Sequence, residues 1–127
     1  MGARSFAWGA AGDAGALLRN CTTGEIVVAH VSRAVTPWRR AVGYLDRRTV
    51  DAGEGLWFDR CSAVHTIGMR ASIDVVFVDR QATVLRIVPR AFRNRVFAGG
   101  PRAAAVLELA GGVAEGLLRP GDRLGFE

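Results

Sequence analysis

A small mainly β domain is the fold class this sequence predicts, built as a sandwich or distorted barrel with one or two short helices. Three observations predict it. Short runs rich in Val, Ile and Leu recur along the chain, punctuated by Gly, Pro, Asp and Asn turn signals. Only one segment spaces its apolar residues at a clearly helical period. A length of 127 residues, half of them hydrophobic, supports one core and argues against extensive disorder or a second domain.

Element by element, residues 1–15 read as a flexible leader of small residues, and 16–127 as one domain. Leu17 to Arg33 reads as a hairpin, with Thr22-Thr23-Gly24 as its turn and Glu25 to Ala29 opening the return strand. Thr36-Pro37 is a helix start, the hydroxyl capping and Pro at the first helical position. Trp38, Ala41, Val42 and Leu45 then fall on one helical face, with Arg39, Arg40 and Arg47 on the other. Asp51 to Gly55 breaks that pattern and leads into Leu56-Trp57-Phe58. Ser62–Ile67 and Ile73–Val78 are strand candidates flanking Gly68 to Ala71, and Asp79 to Ala82 is a hairpin turn into Val84–Val88. Pro89 to Arg102 reads as a basic loop, Ala103–Leu109 as a strand and Gly111–Leu118 as one or two helical turns stopped by Pro120-Gly121. Leu124–Glu127 closes as a short strand.

All 17 basic residues are Arg, and the formal net charge is +5. Such a chain suits a partner bearing phosphate or carboxylate, although a solvated Arg-rich surface produces the same composition. Cys21 and Cys61 form no C-x-x-C pair, so zinc-knuckle and thioredoxin chemistry have no support. One disulfide is arithmetically open to them, and two free thiols are the expectation in a reducing compartment. No secretory signal reads in Met1 to Ala16, and no stretch approaches the roughly 20 apolar residues of a membrane span. The expectation is cytoplasmic.

Three ordered blocks carry a family resemblance. The first is Gly43-Tyr44-Leu45-Asp46-Arg47-Arg48 with Gly53-Glu54-Gly55-Leu56. The second is Ser62-Ala63-Val64-His65-Thr66-Ile67-Gly68-Met69-Arg70 with Ile73-Asp74-Val75-Val76-Phe77-Val78-Asp79. The third is Ala105-Val106-Leu107-Glu108-Leu109-Ala110-Gly111-Gly112 with Gly116-Leu117 and Pro120-Gly121-Asp122. Together they resemble the DUF192 family over residues 17 to 126. The resemblance implies a single mainly β domain of sandwich type and supplies no substrate, cofactor or catalytic residue. Two departures touch turn geometry: Gln81-Ala82 stands where the family usually has Asp-Gly, and Ser72 where it often has Pro.

Chemistry concentrates between Cys61 and Asp79. Cys61, His65 and Met69 are soft-metal ligand types, but neighbours four apart on a straight strand stand about 13 Å from each other. No metal site and no cofactor are therefore expected. A hairpin turning near Met69-Arg70 sets His65 opposite Asp74, where a carboxylate orients an imidazole for acid–base work or closes the hairpin structurally. No nucleophile elbow accompanies the pair. The leading expectation is a non-catalytic accessory or ligand-binding module with a polar pocket at His65, Thr66, Arg70 and Asp74. A hydrolase using His65 and Asp74 is the alternative. A third reading binds an acidic protein or nucleic acid through Arg90, Arg93, Arg95 and Arg102, aided by Phe92 or Phe97 if they do not anchor the loop. A small anionic ligand or acidic protein ranks ahead of nucleic acid as partner. Gly121-Asp122 is read as a fold-specifying turn.

Overall fold

The computed structural model describes residues 15–36, 40, 43–45 and 47–127. Nine strands form among them: β1 (Ala16–Asn20), β2 (Ile26–Arg33), β3 (Glu54–Asp59), β4 (Ala63–His65), β5 (Ile73–Val78), β6 (Val84–Val88), β7 (Val96–Ala98), β8 (Ala105–Ala110) and β9 (Leu124–Phe126). Seven make one sheet in the order β6-β5-β8-β3-β2-β1-β9, and β4 pairs with β7 in a second. Within the large sheet only β2 and β3 run parallel. That sheet curls until its edges meet at one end. Thr83 bridges Arg123, Val84 N–H donates to Asp122 O and Leu124 N–H to Ala82 O. The mainly β class holds, in its distorted-barrel form.

Alternation along the central strands sends side chains to two cores. Leu107 and Leu109 of β8, Val76 and Val78 of β5 and Trp57 of β3 fill the inside of the curl, where Trp57 meets Phe126 edge-on at 4.9 Å. Val106, Val75, Phe77, Leu56 and Phe58 point outward, beneath Val64, Met69 and Phe97 of the covering layer. All six residues of β5 and of β8 are buried, as befits strands covered on both faces.

The β1–β2 hairpin, the Asp79–Ala82 turn and the terminal strand form as the sequence predicts. Asp79 Oδ1 accepts from Gln81 N and Thr83 N, and Ala82 adopts the left-handed φ of 59° that the missing Gly would have taken. Asp122 Oδ2 accepts from Arg119 N and from Nδ2 of buried Asn20, so the Gly121-Asp122 turn is tied to β1.

Other expectations are corrected. The strand at Ser62–Ile67 shortens to three residues and pairs with β7, which lies inside the expected loop Pro89–Arg102. The hairpin with Ile73–Val78 therefore does not form. β5 is apolar on both faces and takes a central place between β6 and β8. Residues 111–118 run as successive turns rather than helix, with Gly112 and Gly116 at φ of 94° and 80°. Of the expected helix after Thr36, one α-turn is described, Arg40 N donating to Thr36 O. The rest of that helix and the leader through residue 14 lie outside the described residues.

Candidate functional site

Because β3, β8 and β5 are neighbours, with β8 antiparallel to both, the end of β3, the end of β5 and the start of β8 lie side by side. Three turns meet there. Cys61 N donates to Ala104 O, Ala104 N to Val78 O and Gly99 N to Ser62 O, which lashes residues 60–62, 79–81 and 101–104 around one concavity. Its volume is about 670 Å³, within the roughly 300–1,000 Å³ of small-molecule sites. Each turn contributes one exposed arginine to the wall: Arg60, Arg80 and Arg102. The ion pairs among the described residues are Arg19–Glu127, Arg33–Asp59, Arg47–Glu54 and Arg90–Glu115, so these three guanidinium groups are in none of them. Asp79 is the one carboxylate of the wall among the described residues, and its Oδ1 is engaged by the amides of its own turn.

Cys61 borders this groove and also a smaller cavity of about 140 Å³ beneath β4. Tyr44, Phe58, His65, Met69 and Glu108 line that second space, with Glu108 only 6% exposed. Burial pushes the Cys61 thiol up, against the opposing effects of its bond to Ala63 O and of Arg40. A thiol held in its neutral form is a poor nucleophile. Cys21 and Cys61 are both free.

The four residues expected to form a polar pocket are not brought together. Asp74 is fully buried, its carboxylate accepting from Arg90 N (2.8 Å), Gly112 N (3.0 Å to each oxygen) and Ala114 N (2.8 Å). It is opposite Leu109, not His65. His65 faces Val96 on the small sheet, and its Nδ1 accepts from Ile67 N. Thr66 is buried, its hydroxyl donating to Phe92 O (2.6 Å) and accepting from Arg95 N (3.0 Å). Arg70 is exposed. The acid–base geometry expected of His65 and Asp74 is therefore absent, because the strands carrying them belong to different sheets.

Cys61, His65 and Met69 do share the lining of the small cavity, and Gly68, at a φ of 80°, turns the chain between His65 and Met69. Still, no three His, Cys, Asp or Glu side chains among the described residues form a metal-holding group. Of the basic loop, Arg102 lines the groove, Arg90 pairs with Glu115, and Arg93 and Arg95 are exposed. Phe97 packs into the outer core, whereas Phe92 is 78% exposed.

Reading motifs missed Arg60 and Arg80. The signal was present in the charge pattern: no Asp or Glu occurs between Asp59 and Asp74 or between Asp79 and Glu108.

Fold and site together define a small strand-built module with an arginine-lined groove at one end of its central strands. The chain belongs to the DUF192 family, described as an uncharacterised ACR, whose model matches residues 18–126. It is similar in fold to a protein of unknown function from Novosphingobium aromaticivorans DSM 12444, with a TM-score of 0.75 and 24% identity over 86% of this chain and 82% of that one. It is also similar to a protein from Sinorhizobium meliloti 1021 described as a candidate transcription regulator, with a TM-score of 0.71 and 27% identity over 87% and 91%. No curated protein matches the sequence. No helix among the described residues is long and apolar enough to cross a membrane.

Proposed function

We propose that this chain is a non-catalytic binding module whose groove between residues 60–62, 79–81 and 101–104 takes the anionic groups of a ligand. One observation carries the reading: Arg60, Arg80 and Arg102, none held in an ion pair among the described residues, line a single concavity of about 670 Å³. Guanidinium forks match phosphate and carboxylate oxygens two at a time, and three around one space suit a ligand with more than one anionic group. The binding reading stands ahead of catalysis because His65 and Asp74 are apart and burial pushes the Cys61 thiol up, away from its nucleophilic thiolate form. The module is read as working in the cytoplasm, where two free thiols persist.

Inorganic pyrophosphate is a suitable probe, titrated calorimetrically at low salt. Binding should weaken about tenfold, about 1.4 kcal/mol, in each of Arg60→Ala, Arg80→Ala and Arg102→Ala. Arg123→Ala, an exposed arginine outside the groove, should bind as the parent does. No binding, or an equal loss in Arg123→Ala, removes the reading.

A further inference from the structure

The small sheet connects the groove to a second basic cluster. Residues 61–62 and 99–104 sit at the groove end of β4 and β7, while residues 65–70 and 92–96 form the far end. Ala63 pairs with Ala98 and His65 with Val96, and all four are exposed, so they share the outward face. Val64 and Phe97 take the inward face against the outer core. The two alanines keep the outward face low and flat. Five residue steps from Ser62 to Ile67 span about 16 Å in extended chain.

At the far end Thr66 gathers the chain. Besides its hydroxyl bonds to Phe92 and Arg95, its backbone N donates to Arg95 O and its carbonyl accepts from Asn94 N and Met69 N. Around that hub stand Arg70, Arg93 and Arg95, all exposed and none in an ion pair among the described residues. Beside them are the three most exposed large apolar side chains described, Phe92 (78%), Val96 (70%) and Ile67 (57%). The charge is segregated accordingly. Residues 60–107 hold eight arginines against two aspartates, a surplus of six positive charges, while the rest of the chain holds nine arginines against ten carboxylates. One of those two aspartates, Asp74, is sealed in the core.

We infer that the anion held by the groove is the backbone of a single-stranded nucleic acid, which runs along the outward face of β4 and β7 and stacks a base on Phe92. The inference rests on the anion-binding reading of the groove. Basic groups at both ends of this strip, with the exposed Arg86 guanidinium donating to Ala98 O beside it, suit a linear polyanion, and a solvent-exposed ring among arginines suits a base with a π-face. An acidic peptide would meet the same arginines. A carboxylate chain has no π-face to set on the exposed Phe92 ring, so polyglutamate is the discriminating competitor.

The test is fluorescence anisotropy of the full chain with a fluorescein-labelled 12-nucleotide oligo(dT) at low salt. Binding should fall with a log–log salt slope of about −3.5, for about five phosphate contacts at about 0.7 each. Phe92→Ala should weaken oligonucleotide binding about tenfold while pyrophosphate binding stays unchanged. Arg80→Ala should weaken both. Pyrophosphate binding retained, with oligonucleotide affinity indifferent to Phe92→Ala and to Arg93→Ala/Arg95→Ala, overturns this inference alone. Absence of pyrophosphate binding alongside Phe92-dependent oligonucleotide binding overturns the groove reading and, with it, the placing of the backbone there. Equal competition by polyglutamate of matched charge also overturns the inference, because the surface would then accept any acidic chain.

Discussion

The carboxylate of Asp74 takes amide hydrogens from Arg90, Gly112 and Ala114, joining the exit of β6 and the turn after β8 to the first residues of β5. Both oxygens act as acceptors, so Asp74 serves as an internal cap for backbone that no strand partner satisfies. An amide there would turn one acceptor into a donor facing N–H groups. Asp74→Asn should lower the unfolding free energy in urea by about 3 kcal/mol and leave pyrophosphate affinity unchanged. A loss under about 0.5 kcal/mol, or a selective loss of binding, would contradict this role. The sequence marks Asp74 as unusual, a carboxylate inside an apolar run, but not its use. Its partners are backbone amides 16 to 40 residues away, and backbone amides leave no trace in side-chain identity.

Among elements, the small sheet is the least self-sufficient. Two strands sharing three residue pairs do not hold by themselves, so β4 and β7 depend on Val64 and Phe97 packing against the large sheet and on the bonds of Thr66. Gly99 makes that seat possible at the end of β7. A Cβ there would lie 2.5 Å from Cδ1 of Phe77, a ring with no exposure, and 2.7 Å from the Ala103 methyl. Gly99→Ala should cost about 2 kcal/mol, with faster amide exchange at residues 96–98 than in β1 and β2. Uniform exchange across both sheets would show that the small sheet is not a separate unit. Elements were legible where their signals are local. Thr22-Thr23-Gly24 and Asp79 to Ala82 each set a turn between adjacent strands, and both hairpins form. The pairing of β4 with β7 was not legible, since Val96 to Ala98 carries only three residues of strand signal inside an Arg-rich stretch. Nor was the turn at Gly68, which brings Met69 to the cavity that Cys61 and His65 also line.

For the whole molecule, the positive surplus of residues 60–107 is readable in the sequence, but its focus is not. Arg60, Arg80 and Arg102 are separated by about twenty residues each and meet only because β3, β8 and β5 are adjacent in the sheet. Topology turns a diffuse charge bias into a concave site, where low-dielectric walls strengthen the field that an anion meets. The contrasting space is the small cavity with Glu108 and Tyr44, which is about a fifth of the groove's volume and walled by a carboxylate. An amide-resolved NMR titration with inorganic pyrophosphate separates the two. The largest shifts should fall on Arg60 to Ser62, Arg80 to Gln81 and Arg102 to Ala104. Shifts centred instead on Tyr44, His65 and Glu108, or no saturable shifts at all, would contradict the anion-binding groove.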